Sequence, residues 1–423
     1  VRAERLADER EIENLIRIYG YYLDRFFWDE IADLFAEDGT IELGRQGVYV
    51  GQDRVREFLH SLASEGPRYG VLNDHLQLQP VIHVAADGMT ARARSREIRM
   101  TGVYEEGGEI GDGVYENAFV KEDGVWKFAE MHFYPVFTSD YAEGWAQSAI
   151  ASPGPSATLP PDRPPTVQFA EYPAYFAPPF HYPNPVTGAP VQYREGSTAQ
   201  VALMTPAPPA APPNSGAPAS IEALEAAVAE AELAAERAQA QDEIDNLIRA
   251  YGYYLDKNMW DDLADLFAED GSIELAQRGV YVGRERVREF LHTVFGAPGP
   301  APGRLGDHIQ VQPVIVVAED GQTAVARSRV VQMMGFAGRS ASWVGGVYVN
   351  DFVKEDGVWK FKTDHAFNTF MASYEGGWAH GVSTRLPGPS EALPPDAPPT
   401  VVFRPFPYVI DIPFNFPNPV TGE

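Results

Sequence analysis

Apolar residues recur at helical spacing near the start of the chain. Ile12, Leu15, Ile16, Tyr19, Leu23 and Phe26 fall on one face of a first helix. A short second helix is expected at 29–35, ending near Asp38-Gly39, and TIEL at 40–43 and GVYV at 47–50 read as strands around a turn. Gln52 to Leu62 returns to helical spacing, with Val55, Phe58, Leu59 and Leu62 on one side. Beyond that the period changes to two. Strands are expected at 75–85, 89–101, 113–121 and 125–134, with turn signals at Asp87-Gly88, Gly107-Gly108 and Asp123-Gly124. Three helices followed by a run of antiparallel strands predict an α+β unit. Its curved sheet would hold the helices on the concave face and leave an apolar pocket at the open end.

The pattern is then written a second time. EIENLIRIYGYYLD at 11–24 returns as EIDNLIRAYGYYLD at 243–256, ADLFAEDG at 32–39 returns at 264–271, and KEDGVWKF at 121–128 returns at 354–361. The expected organisation is a first unit at 5–150, a Pro- and aromatic-rich arm at 151–195 and a Pro/Ala linker at 196–220. A long helix plus second unit at 221–383 and a second arm at 384–423 complete it. PNPVTG closes both arms, at 183–188 and 417–422. Their duplicated aromatics predict ordered, extended segments that pack onto a neighbouring unit, with homo-oligomer formation through them as one outcome.

Composition narrows the partners. Lys plus Arg number 33 against 60 Asp plus Glu, a net charge of −27, which repels nucleic acid and anionic membrane surfaces. No apolar run is long enough to span a bilayer. The absence of cysteine removes disulfides, thiolate nucleophiles and Cys-ligated zinc. It fits a cytoplasmic protein, although a chain opening at Val1 leaves export of a trimmed precursor open. No metal-binding or nucleotide-binding motif is present, so no cofactor is expected.

Taken together, the Tyr-rich first helix, Asp24 followed by Trp28, ADLFAEDG, the GVYVG–helix segment, the Asp74-His75 pair and the closing DGVWKF resemble the SnoaL-like branch of the NTF2-like superfamily. The resemblance covers 5–145 and 237–378 and implies two tandem cone-shaped units. The chain is similar to scytalone dehydratase at Asp24, Trp28, His75 and DGVWKF, with Tyr115 and Asn117 where that family places polar cavity side chains. It departs at 91–100, where Arg stands and no second histidine is found. Tyr19 matches the oxyanion tyrosine of ketosteroid isomerase, but that family's general-base position holds Leu43. A further resemblance, in general build only, is to the cofactor-free diarylpropane lyases of lignin-degrading bacteria.

The candidate catalytic residues are therefore Asp24, His75 and His132 with their copies Asp256, His308 and His365. Histidine is suited to proton transfer near neutral pH, and a buried carboxylate can act as acid or base. Trp126 and Phe128 share a side of their strand with His132, which would point it inward. Candidate substrate-binding residues are Tyr19, Tyr22, Tyr49, Arg94, Tyr115 and Asn117, and Tyr251, Tyr254, Tyr281, Arg327, Tyr348 and Asn350. Tyrosines offer ring contacts and a hydroxyl donor, and an arginine facing the cavity would hold a phenolate. The expected activity is a cofactor-independent lyase on a small hydrophobic phenolic compound, with a lignin-derived aromatic dimer losing water and formaldehyde as one form. A dehydratase, epoxide hydrolase or cyclase of a polyketide or terpenoid, and a non-catalytic binder, stay open as alternatives. The two copies diverge at Glu97/Val330 and Arg99/Gln332.

Overall fold

The computed structural model describes residues 2–174, 176–193, 195 and 220–423. The expected linker falls almost wholly outside these residues. The first unit runs α1 (Arg2–Asp24), α2 (Trp28–Asp33), β1 (Phe35–Leu43), β2 (Val48–Val50), α3 (Gln52–Leu62), β3 (Val71–Val84), β4 (Thr90–Val103), β5 (Gly107–Glu122) and β6 (Val125–Asp140). The second repeats it as α4 (Ile221–Asp256), α5 (Trp260–Asp265), β7 (Phe267–Leu275), β8 (Val280–Val282), α6 (Arg284–Val294), β9 (Arg304–Val317), β10 (Thr323–Phe336), β11 (Ser340–Glu355) and β12 (Val358–Ser373), then a short α7 (Gly377–His380).

Each unit is one six-stranded sheet, ordered β2-β1-β6-β5-β4-β3 and β8-β7-β12-β11-β10-β9. The sheets are mixed rather than purely antiparallel, because β1 runs parallel to β6 and β7 to β12. The second helix is also shorter than its sequence implied. It stops at Asp33, and Phe35 already pairs with Phe128 in the sheet. Gly107-Gly108 opens β5 instead of forming the turn, which lies at 104–106.

A β-bulge sets the facing of the last strand. Phe119 pairs with Phe128 but Ala118 pairs with Glu130, so Ala129 is an extra residue. Lys362 is extra in the second unit. One inserted residue reverses the alternation beyond it. Phe128 and Met131 therefore share the core face, and His132 turns to the other side.

The arms are ordered along the described residues and anchored alike. Tyr49 donates to the Leu159 carbonyl (2.8 Å) and Tyr281 to Leu393 (2.9 Å). Glu42 accepts from the Thr166 backbone N–H and hydroxyl, and Glu274 does the same for Thr400. Their ends differ. Arm 2 crosses to the first unit, where Ile410, Ile412 and Phe416 join its core. Arm 1 packs Val167 and Phe169 on Tyr134 of its own unit, contrary to the expectation of a neighbour.

The units meet unequally. Asn14, Arg17 and Tyr21 on α1 donate to carbonyls of Ile315, Pro313 and Gln312 on β9. Arg329 on β10 pairs with both Asp24 and Asp74. Among the described residues the equivalent hydrogen bonds are not made on the opposite side: Tyr21 is 2% exposed, whereas its copy Tyr253 is 73% exposed. A cleft of about 910 Å³ lies there, lined in part by Arg96, Arg249, Tyr253 and Asp256.

Candidate functional site

In a strand the side chains alternate between faces, and this decides what enters each cone. On β4, Ala91 and Ala93 lie in the first unit's core, and Glu97 and Arg99 continue that face to line its cavity. Arg94 and Arg96 occupy the other face. On β3, Asn73 and His75 look inward, while Asp74 faces Arg329. The resulting cavity, about 370 Å³, is lined by Tyr19, His75, Glu97, Arg99, Tyr115 and Phe133, with apolar walls from Leu23, Phe26 and Leu59.

Glu97 is its centre. The Tyr115 hydroxyl donates to Glu97 Oε2 at 2.9 Å and the Gln77 amide at 3.1 Å. His75 Nδ1 lies 3.2 Å from the same oxygen. The Tyr19 and Tyr115 hydroxyls are 3.2 Å apart. Because Tyr115 gives its hydrogen to Glu97, its oxygen accepts from Tyr19. Both tyrosine hydrogens are thus committed to holding the carboxylate. His75 Nε2 is 3.1 Å from Asn73 Oδ1, and Asn73 is itself oriented by donating to the Leu23 carbonyl (2.8 Å). Burial works to raise the Glu97 carboxyl, but the His75 ring, Arg99 and the Tyr115 hydroxyl outweigh it, and the net shift is downward. Burial drives the Tyr19 and Tyr115 hydroxyls well above the ordinary tyrosine range. Arg99 reaches Thr138 and makes no ion pair among the described residues.

The second cavity, about 250 Å³, is lined by His308, Tyr348, Arg278 and Gln332 among apolar side chains. Here the charges have moved. Val330 replaces Glu97 and Gln332 replaces Arg99, while Arg278 stands where the first unit has Gln46 and Asp364 where it has Met131. Asp364 is fully buried against Tyr251, Tyr348 and Asn350, and neither carboxylate oxygen makes a well-formed hydrogen bond. Burial pushes it up to about 7.

Several sequence candidates lie elsewhere. Asp24 ends α1, accepts from the His75 backbone N–H (2.7 Å) and pairs with Arg329; it lines the inter-unit seam, not the cone. Burial raises its carboxyl, against the pull of Arg329 and His75. Asp256 accepts from the His308 backbone N–H (2.6 Å) and approaches His308 Nδ1 (2.9 Å), on the inter-unit cleft. The expectation that His132 points inward is corrected by the bulge. It stacks on Tyr134 (3.8 Å), 3.7 Å from Glu42, and burial drops it to about 3. His365 likewise packs against Phe367, with ring centres 4.0 Å apart and planes tilted by 30°, and lies 3.4 Å from Glu274. Asn117 and Asn350 accept from the backbone N–H of His132 and His365 across the bulge. Tyr22 packs on Phe27 and Phe414, Tyr49 and Tyr281 hold the arms, and Tyr254 packs on the second core without lining its cavity. Arg94 and Arg327 face the arms. Each donates to a proline carbonyl, Pro179 or Pro413, and lies over Phe180 or Phe414.

Of the candidates, Tyr19, His75 and Tyr115, and His308 and Tyr348, line the cones, with Tyr251 packed behind Tyr348. Glu97, Arg99, Asp364 and Arg278 were missed as site residues. The signal for the first two was the alternation on β4, where Ala91, Ala93 and Ser95 mark the face that packs on helices. Among the described residues, Asp29, His60 and Glu65 alone have metal-ligand spacing; all three are exposed, and Asp29 is taken by Arg56 and His60.

A SnoaL-like domain model matches residues 4–132 and again 236–364, over half of the chain. The chain belongs to this family, twice in tandem, and carries the small-molecule cavity of that fold in each unit. A search of curated proteins by sequence returns no match. Among solved structures it is similar to a candidate scytalone dehydratase from Novosphingobium aromaticivorans, at 26% identity over 36% of this chain and 93% of that one, TM-score 0.29. It is also similar to a hexachlorocyclohexane dehydrochlorinase, at 18% identity over 33% and 90%, TM-score 0.29. ActVI-ORFA from Streptomyces coelicolor matches at 16% identity over 30% and 96%, TM-score 0.27. Each match has about the extent of one unit.

Proposed function

We propose that the first unit is a cofactor-independent lyase acting on a small hydrophobic phenolic compound, with His75 and Glu97 as its acid–base pair. The observation that carries this reading is the 3.2 Å contact between His75 Nδ1 and Glu97 Oε2 beside a cavity with apolar walls. A buried imidazole backed by a carboxylate is suited to moving one proton to a leaving group and another from carbon. The para-phenolate, its proton released to solvent, supplies the electrons: the substrate's ring expels a benzylic hydroxyl and becomes a quinone methide. The His75 Nε2–H turns from Asn73 Oδ1 to the departing hydroxyl and gives it a proton, so that it leaves as water. The neutral His75 imidazole then removes a proton from the carbon next to the exocyclic one, leaving a vinyl phenolate that regains its proton from solvent. Arg99, which makes no ion pair among the described residues, steadies the phenolate in this reading. Tyr19 and Tyr115 act through Glu97, since their hydrogens are already used.

The test offers the purified chain phenolic benzylic alcohols and resolves products by mass spectrometry. Loss of water is expected. Release of formaldehyde would extend the reading to C–C cleavage. His75→Ala should lower turnover by about 10²–10⁴-fold, the usual worth of a positioned acid–base group. Wild-type turnover in a folded H75A chain would remove this mechanism.

A further inference from the structure

The second cavity is not a copy of the first, and the difference has a chemical direction. Glu97 and Glu109 line the first cone; their counterparts in the second are Val330 and Ser342, and among the described residues no Asp or Glu lines that cavity. Asp364 lies behind it rather than in its wall. A guanidinium has entered at Arg278, in the β7–β8 connection, which in the first unit carries Gln46.

Arg278 makes no ion pair among the described residues. Its one side-chain hydrogen bond is long, 3.3 Å to the Leu275 carbonyl, and its guanidinium lies 5.1 Å from the centre of the Phe295 ring. Arg278 is half-buried, and a guanidinium keeps its charge, so one without a carboxylate partner is available to an anion entering the cavity. Burial pulls it down to about 10, with Tyr281 opposing. His308 and Gln332 add polar groups to a wall otherwise built from side chains such as Leu255, Val344 and Phe367. A cavity of about 150 Å³ holds benzene, so one of about 250 Å³ holds a single substituted ring.

We propose that the second cavity binds a small aromatic carboxylate through Arg278, whose planar fork suits the two carboxylate oxygens. The ligand differs in kind from the neutral phenol proposed for the first unit, whose cavity presents carboxylates. The two readings are independent: one is measured by turnover at His75, the other by binding at Arg278.

The test is calorimetric titration of the full chain carrying Arg99→Gln, which removes the guanidinium of the first cavity. Benzoate, its neutral isostere benzamide, and phenol are the probes. Benzoate is expected to bind one site at least about tenfold tighter than benzamide, and Arg278→Gln should erase that difference. Arg278→Lys, which keeps the charge without the fork, should retain a reduced preference, and it keeps the test open if R278Q does not fold. Equal affinity for benzoate and benzamide, tighter binding of phenol, or benzoate binding undiminished in folded R278Q would each overturn the proposal.

Discussion

Asp364 is a carboxylate in a space that the first unit fills with Met131. It has no counter-charge, so burial holds its proton on up to about pH 7. A free aspartate loses that proton near pH 4. Between these values the folded chain binds the proton and the unfolded chain does not, so stability is full at the acid end and falls as pH rises through 7. From pH 5 to pH 8 the wild type should lose roughly 2–3 kcal/mol more than Asp364→Asn, measured by urea unfolding of both chains at each pH. An identical pH dependence would mean that Asp364 is charged when folded. Glu97 behaves oppositely, because His75, Arg99 and Tyr115 favour its anion. Glu97→Gln should therefore cut turnover by about 10²-fold while the fold survives, and should change the pH profile of kcat/KM, which a purely structural role would leave in place.

At the scale of elements, the arms explain why several doubled residues are not in the cavities. Tyr49 and Tyr281 recur because each arm needs a donor for the same carbonyl. Tyr281→Phe leaves the Leu393 carbonyl without that donor, a cost of about 1 kcal/mol in thermal or urea unfolding. Turnover in the first unit should not change. Helix order, the hairpins and α3 were legible in the sequence, since period and Asp-Gly turns are local signals. The facing of His132 and His365 was not: a bulge at Ala129 or Lys362 is one unpaired residue, set by the neighbouring strand and invisible in an alternation count. A binding role for Arg94 required its face of β4 to line the cavity, and Ala91, Ala93 and Ser95 give that face to the opposite parity. Duplication marks the residues kept in both copies, such as the arm-holding Tyr49 and Tyr281. The cavity charges are those that changed place, and Glu97/Val330 was the visible trace of that exchange.

Across the whole molecule, two similar units meet asymmetrically, with α1 seated on β9 while its copy α4 leaves Tyr253 exposed. Arg329 is 2% exposed and joins Asp24 and Asp74 across the seam. Its copy Arg96 pairs with Asp112 (2.6 Å) on its own sheet and is exposed. Asp24 appears in both copies as Asp256, and its shared task is to accept from the strand that carries the histidine. Only the first copy also joins the units, which no reading of one repeat could reveal. Removing one partner of a buried pair leaves the other charge uncompensated, at a cost of about 3–5 kcal/mol, whereas an exposed pair is worth about 0–1 kcal/mol. Arg329→Ala should therefore lower unfolding free energy by the larger amount, and Arg96→Ala by the smaller. Asp24→Asn with Asp74→Asn in the R329A chain should recover part of the loss, because it removes the stranded carboxylates. Equal effects of R329A and R96A in urea unfolding would show that the seam does not depend on this ion cluster.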